Sequence, residues 1–142
     1  MIIRRSRGFT LLELLIVIAL IGILVSVGTA SYSSAQFKAR NSRRKQDMKA
    51  VQIALEQYYG VNNEYPAASN PCNLGATSAT YLPAGLPIDP RPAQSYTINC
   101  IDVSNYCACG LLEGTTTEGN SSDANCSAYG SPGQYFCVKQ LQ

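Results

Sequence analysis

A single carboxylate, Glu13, lies inside the most apolar stretch of this 142-residue sequence. The stretch covers residues 9–30 and contains no lysine, arginine or histidine, so no side chain within it can neutralise the charge. An unpaired carboxylate is unfavourable by several kcal/mol in lipid or in a protein interior. Glu13 therefore needs a positive partner from outside this stretch.

A free backbone amine is the partner that the sequence offers. If the chain is cut between Gly8 and Phe9, the new α-amine of Phe9 is cationic at neutral pH. This amine lies four residues before Glu13 in its own chain, and a neighbouring copy shifted along the helix axis could present the same group. Because a buried polar pair can fix the register of packed helices, we predict that Glu13 is an assembly residue.

Composition divides the chain into four segments. Residues 1–8 form a basic leader with three arginines, and residues 9–30 form a hydrophobic helix. At about 1.5 Å per residue this helix is about 33 Å long, enough to cross a bilayer. Residues 31–59 continue the helix as an amphipathic half, and residues 60–142 form a small head rich in cysteine, glycine, proline and serine.

The spacing of apolar residues predicts an α+β fold. Residues 48–59 carry one apolar stripe at helical spacing. Residues 95–101, 106–112 and 134–141 alternate and are rich in β-formers, and residues 102–105 suit a hairpin turn. We expect a long N-terminal α-helix, half membrane-spanning and protruding, packed on a small antiparallel β-sheet.

All six cysteines lie in the head. An even count in a small, loop-rich segment beyond a hydrophobic N-terminus indicates disulfides outside the cytoplasm. The alternative is a metal site, but the sequence has one Cys-x-Cys, no Cys-x-x-Cys and no histidine. We expect three intramolecular disulfides, with no bond between Cys107 and Cys109, whose side chains run parallel on one strand face. The candidates are Cys72, Cys100, Cys107, Cys109, Cys126 and Cys137.

Charge is divided between a basic stem and an acidic head. Residues 1–49 carry nine lysines and arginines against two acids, whereas residues 50–142 carry two against seven. Between Lys38 and Asp47 there is almost no apolar side chain. We therefore expect this stretch to be solvated or packed against other chains, and not to bury a face in its own domain. Contact with nucleic acid would need exposed cations and ranks behind contact with acidic neighbours.

Composition also argues against catalysis. The chain has no histidine, the commonest acid–base group near neutral pH, and no base or metal set accompanies its serines and aspartates. The late acids are scattered among the cysteines, which favours surface solubility over a calcium loop. We expect no enzymatic activity and no catalytic, cofactor or metal site.

Residues 4–13, RRSRGFTLLE, resemble the class III signal of type IV prepilins and type II secretion pseudopilins. The basic leader, the glycine before the cut, the phenylalanine after it and Glu13 all match. The resemblance continues through the apolar helix, and more loosely through residues 44–66 and through residues 86–90 followed by Tyr96. Ala30 departs from it, since many pilins have proline there, and six cysteines exceed the single disulfide common in pilins.

The resemblance implies a processing and assembly pathway. A membrane-embedded prepilin peptidase would cut between Gly8 and Phe9, and the Phe9 amine would be N-methylated. The subunit would first be a single-pass protein of the cytoplasmic membrane with its head outside. A platform protein and an assembly ATPase would then extract it into an extracellular filament of itself or of mixed pilins, with the hydrophobic helices as its core.

Several other functions remain open at this point. Within the family, the chain could be a type II secretion pseudopilin, whose short filament acts as an export piston, or a competence pilin, for which nucleic acid would be a partner. Outside the family, it could be an adhesive, membrane-anchored module that does not polymerise. A signal peptide cleaved after Ala30 is disfavoured by the length of the apolar run and by Glu13.

Overall fold

The computed structural model describes residues 8–69, 71–73, 78–114 and 117–142, without the side chains of residues 30, 31, 78 and 79. The chain forms two compact units, Met1–Gln36 and Phe37–Gln142, and one helix runs through both. The elements in chain order are α1 (Leu11–Asn62), α2 (Ser78–Tyr81), β1 (Thr97–Asp102), β2 (Asn105–Leu111) and β3 (Tyr135–Lys139). The expected α+β fold is confirmed.

The first unit contains the apolar part of α1. Leucine, isoleucine and valine dominate it, and neither Gly22 nor Gly28 interrupts the helix. Every side chain described from Gly8 to Thr29 is exposed. The unit therefore has no core of its own among the described residues, and its stability as a helix must come from a surrounding that covers it.

The second unit has its core between α1 and the sheet. The stripe predicted from the sequence supplies Met48, Val51 and Leu55, each at most 1% exposed. They pack on the inner face of an antiparallel sheet in the order β1-β2-β3. That face is formed by Ile98, Cys100, Tyr106, Ala108 and Val138.

The boundaries of the elements differ slightly from those expected. α1 ends at Asn62, three residues beyond the predicted end. Asn63 has φ 60° and donates its backbone N–H to the Tyr59 carbonyl at 2.7 Å, which suits asparagine because it tolerates the left-handed region. The hairpin turn lies between β1 and β2 as predicted, and the Asp102 carboxylate accepts the Ser104 N–H in it at 2.7 Å.

The loop after β2 covers the outer face of the sheet. Gly119 and Gly133, and Ser121 and Tyr135, form isolated antiparallel bridges that dock the loop on β3. The Asn120 side chain donates to the Cys137 carbonyl at 2.8 Å and accepts the Cys137 N–H at 2.6 Å. This amide occupies hydrogen-bonding groups of an edge strand that would otherwise be open to another chain.

Candidate assembly site

Glu13 lies in the first turn of α1, where its carboxylate caps the helix. Its Oε2 atom accepts the Thr10 backbone N–H at 3.1 Å and the Thr10 hydroxyl at 3.0 Å. The Thr10 Oγ1 atom in turn accepts the Glu13 N–H at 3.2 Å. This reciprocal pair is a capping box, in which two backbone donors at a helix start are satisfied by side chains.

The capping role of Thr10 was not predicted, although the sequence carries the pattern for it. A serine or threonine followed three residues later by an acidic residue, just before an apolar run, is the usual signal of such a cap. The cap gives Glu13 a local polar partner but not a counter-charge. Within the described residues, Oε1 accepts no hydrogen bond.

Gly8 and Phe9 come immediately before Thr10, the residue that precedes α1, and both are exposed. The remainder of the predicted leader, residues 1–7, lies outside the described residues. The peptide bond between Gly8 and Phe9 is therefore next to the Thr10–Glu13 cap, and a new amine at Phe9 would arise one residue from it.

The apolar half of α1 is long and apolar enough to cross a membrane, judged by its length and composition. None of its most apolar window is buried within the chain. A continuous apolar helix face of this size is not stable in water. Lipid and the same helix of other copies are the two surroundings that would cover it.

The six cysteines form three disulfides: Cys72–Cys100, Cys107–Cys126 and Cys109–Cys137. Cys107 and Cys109 are not bonded to each other, as the parallel direction of their side chains led us to expect. The first disulfide joins β1 to the segment after α1, inside the core. The other two lie on the outer face of the sheet, where Cys107–Cys126 fixes the covering loop and Cys109–Cys137 joins β2 to β3.

Three sulfur atoms, those of Cys107, Cys109 and Cys126, lie within 4.8 Å of one another. Such a cluster would suit a metal ion only as thiolates. Since each of the three is already bonded in a disulfide, the cluster in this oxidised chain is a packing contact between two disulfides.

The expectation that the stretch between Lys38 and Asp47 buries no face in its own domain is wrong. Arg44 is fully buried, and its guanidinium binds the Asp89 carboxylate at 2.7 and 2.8 Å and the Glu113 carboxylate at 2.8 Å. Arg40 makes two hydrogen bonds to Glu113, at 2.8 and 2.7 Å. Arg40 and Arg44 of the stem therefore meet acids of their own chain.

Two amides complete this ion network. Asn41 donates to the Glu113 carbonyl and accepts the Glu113 N–H, both at 2.8 Å. Gln94 accepts a hydrogen bond from Arg44 at 2.8 Å. Together with Arg40, Arg44, Asp89 and Glu113, these amides fix α1 to the loop before β1 and to the end of β2. Buried charges are tolerated only when they are paired and hydrogen-bonded in this way.

The network keeps both carboxylates ionised. Hydrogen bonds from Arg40, followed by those from Arg44, outweigh burial and lower the pKa of Glu113 to about 2. Burial alone would raise the pKa of Asp89, but the hydrogen bonds from Arg44 and from the Arg91 N–H outweigh it and lower the pKa. The pKa shifts show that pairing dominates over desolvation here.

Helical spacing could have revealed this network. Asn41, Arg44 and Met48 follow one another at three and four residues and so share one face of α1. The apolar stripe of α1 is buried on this same face, so the two polar residues on it require hydrogen-bonding partners. The identity of the partners, 45 and 69 residues away from Arg44, follows only from the folded chain.

Comparison with known proteins finds its most specific match at the N-terminus. The family described as "Prokaryotic N-terminal methylation motif" matches residues 3–29. The type II secretion system core protein G of Pectobacterium carotovorum is 33% identical over 94 residues, which are 65% of this chain and 57% of that protein. The type IV major pilin protein PilA of Myxococcus xanthus is 35% identical over 66 residues, 46% of this chain and 30% of that protein. These findings support the pilin and pseudopilin family for this chain.

Pilins and pseudopilins are structural subunits, which favours the same role here over an enzyme. The toxin coregulated pilin of Vibrio cholerae extends the similarity, with 36% identity over 82 residues, 57% of this chain and 34% of that pilin. In these matches the chain spans between about a third and just over half of the length of the relatives. No solved structure matches the chain.

Proposed function

We propose that this chain is a subunit of a type IV pilus or a related filament, processed between Gly8 and Phe9 and assembled through α1. Residues 1–8 would be the leader, residues 9–30 the membrane and assembly segment, residues 31–59 the amphipathic half of the helix, and residues 60–142 the exported head. The subunit would lie in the cytoplasmic membrane first and in an extracellular filament afterwards.

The observation that carries this proposal is the exposed apolar part of α1, whose first turn contains the capped carboxylate of Glu13. In the membrane, lipid would cover the helix, and in a filament the helices of neighbouring copies would replace the lipid. Both environments are apolar, so transfer between them changes the apolar burial little. The specific step is therefore the pairing of Glu13 with a cation.

Cleavage would switch this pairing on. Before the cut, the nitrogen of Phe9 is an uncharged amide, and after the cut it is an ammonium group. N-methylation would retain that charge. The free Oε1 of Glu13 would accept the ammonium of a neighbouring copy while Oε2 stays bonded to Thr10. The prepilin peptidase, the platform protein and the assembly ATPase are the partners that this pathway requires.

The mature N-terminus tests the proposal most directly. Filaments sheared from producing cells and analysed by intact-mass spectrometry should contain a chain that begins at Phe9 with one added methyl group and six cysteines in disulfides. Gly8→Leu should leave an unprocessed chain in the membrane, because a cleavage site built for glycine has no room for the side chain. A mature chain that begins at Ser31 would contradict the proposal.

A subunit of a secretion pseudopilus is the second candidate. The match of 94 residues, which extends from the helix into the head, is to a secretion core protein. Deletion of the gene in its own bacterium distinguishes the two candidates. Loss of surface pili with normal export supports a pilus subunit, whereas retention of folded exoproteins in the periplasm with normal pili supports a secretion subunit.

A further inference from the structure

Ile88 is a large apolar side chain that the second unit holds in solvent. It is 80% exposed, although the residues on both sides of it are fixed. Asp89, which follows it, is buried in the ion pair with Arg44, and Pro87 and Pro90 restrict the backbone of the loop. A rigid, exposed isoleucine is a preorganised contact, because little conformational freedom is lost when a partner covers it.

Shallow grooves lie on both sides of Ile88. One is bordered by Arg43, Asp47 and Ala50 of α1 and by residues 84–88. The other is bordered by Pro71, residues 86–89 and 94–96, and Ile98. Two partly exposed cations lie near Ile88: Arg43 borders the first groove with it, and Arg91 follows it by three residues in the chain. Their side chains are 66% and 53% exposed, although Arg43 lies 4.0 Å from Asp47 and Arg91 lies 3.6 Å from Glu113 within the same chain. We name the surface of Arg43, residues 86–88 and Arg91 the ridge.

A second apolar surface lies at the end of α1. Val61 is 74% exposed and Val103, in the turn between β1 and β2, is 49% exposed. A hydrogen bond of 2.8 Å from the Tyr65 N–H to the Val103 carbonyl brings the two segments together. The exposed acids Glu64 and Asp102 are close to these side chains in the sequence, and the Asp102 carboxylate also accepts hydrogen bonds from Ser104 and Asn105 of its own turn. We name the surface of Val61, Glu64 and residues 101–103 the tip.

We propose that the ridge of one copy binds the tip of a second copy, in a contact that deepens the filament function proposed above and rests on it. Each surface has exposed aliphatic side chains, and the charges at their rims are opposite: arginines at the ridge and carboxylates at the tip. Binding of ridge to ridge or of tip to tip would instead place like charges together. Charge complementarity therefore selects a second copy in a head-to-tail arrangement.

A head-to-tail contact uses two different surfaces of each copy. Each copy can then bind one neighbour through its ridge and another through its tip, so the contact can repeat, and it gives an open chain when the rotation between successive copies does not close a ring. The ridge–tip contact would add a specific interaction between heads to the interaction between apolar helices. It would also determine which copy lies next to which along the filament.

Photo-crosslinking in assembled filaments tests the contact. The full chain is made with benzoylphenylalanine in place of Ile88, irradiated in intact filaments and digested. The expected product is a crosslinked dimer in which position 88 of one copy is joined to residues 61–64 or 101–103 of another. Ile53 is a matched control, because it is also an exposed isoleucine, on α1 outside both surfaces, and a probe there should not reach the tip. Crosslinks from position 88 to other residues, or none in irradiated filaments, would overturn the proposal.

Charge reversal provides an independent test. Arg43→Glu and Glu64→Arg should each reduce the yield of sheared filament about fivefold, as expected for an exposed ion pair. The double variant should recover most of the yield, because the opposite charges are restored with their places exchanged. Lys49→Glu reverses an exposed charge of α1 outside both surfaces and should change little. If the double variant loses as much filament yield as the two single variants combined, the two surfaces do not pair.

The two proposals fail in different ways. If wild-type chain forms no filament although it is processed at Phe9, the filament function itself fails. If filaments form and position 88 does not contact the tip, the filament function stands and the ridge–tip contact is wrong.

Discussion

Glu13 has two oxygen atoms with different tasks. Oε2 is bonded to the Thr10 backbone and hydroxyl, which orients the carboxylate at the start of α1. Oε1 accepts no hydrogen bond within the described residues, and in the proposed filament it would accept the Phe9 ammonium of a neighbouring copy. The sequence could predict the need for a counter-charge, but only the folded helix shows that the carboxylate is already oriented before that charge arrives.

Replacement of Glu13 by glutamine should separate insertion from assembly. Glu13→Gln removes a charge from the apolar segment, so membrane insertion should be retained or improved. Cleavage after Gly8 should be largely retained. Filament should fall by about tenfold or more, since the cationic Phe9 amine of the neighbour would lose its counter-charge. Immunoblots of sheared filament and of membrane-retained subunit measure both effects, and normal filament in this variant would contradict the pairing.

Substitutions at Thr10 test whether its hydroxyl orients Glu13 for assembly. Thr10→Ser keeps the hydroxyl that bonds Glu13 and should assemble as the wild type does. Thr10→Val keeps the shape but removes the hydroxyl, so the carboxylate loses one of its two bonds and one helix cap. Filament yield should lie between those of the wild type and Glu13→Gln. Equal yields for serine and valine at this position would show that the cap does not orient Glu13.

Arg44 differs from its neighbour Arg43, although both are arginines of the basic stem. Arg44 is fully buried with two carboxylates, whereas Arg43 approaches Asp47 only at 4.0 Å and is largely exposed. Arg44→Met should destabilise the head by about 3–5 kcal/mol, because it leaves Asp89 as an unpaired buried charge. Arg43→Met should change stability by less than about 1 kcal/mol. Denaturation of the two full-length variants in detergent, with the disulfides intact, gives both values.

Some contacts between the elements of the second unit can be predicted from sequence patterns, and others cannot. The stripe of α1 and the three strands depend on local periodicity, and each was predicted within a few residues. The ion network depends on pairs separated by 45 and 69 residues, and no local pattern specifies which acid meets which base. Six cysteines indicated disulfides, but their connectivity likewise required the register of β2 and β3.

The Cys72–Cys100 disulfide joins two segments 28 residues apart in the sequence. In a chain-entropy treatment, a closed loop of this length contributes about 3–4 kcal/mol. The double variant Cys72→Ser with Cys100→Ser should therefore unfold at a clearly lower denaturant concentration than the wild type. The wild type treated with reductant is the matched comparison and should lose at least as much stability. Equal midpoints for oxidised wild type and the double variant would show that this disulfide contributes nothing to stability.

The ion network should make the head sensitive to acid. The pKa of Glu113 is lowered in the folded chain to about 2 from an ordinary value of 4.5, so its pairing stabilises the fold fully above about pH 4.5. That contribution is lost as the pH falls from about 4.5 toward 2, and the shift of Asp89 acts in the same direction. The free energy of unfolding, measured across this range, should therefore decrease with falling pH. The Glu113→Gln variant should be less stable than the wild type at neutral pH, and its free energy of unfolding should decrease less steeply as the pH falls. An equal pH dependence in the variant and the wild type would contradict this role of Glu113.

Across the whole molecule, the division into a basic stem and an acidic head has two consequences. Some of these charges pair within the chain, where Arg40 and Arg44 bind Asp89 and Glu113. Among the described residues of the stem, Lys38, Arg43 and Lys49 stay exposed and are the charges that can act between copies. Salt distinguishes the two, because exposed charges are screened over about 3 Å in 1 M salt, whereas buried pairs are screened much less.

High salt should therefore loosen the filament without dissolving it. The apolar helices and the desolvated Glu13 pair should keep the copies together, while screening weakens the ridge–tip contact. Filaments imaged by electron microscopy in about 1 M salt should bend more sharply than in about 0.05 M salt, and the unfolding midpoint of the head should change little. Filaments of Arg43→Gln, which removes one charge of this contact without creating a repulsion, should show a smaller difference in bending between the two salt concentrations than wild-type filaments. Dissociation of wild-type filaments into subunits at high salt would show instead that exposed charges, and not the helices, hold the copies together.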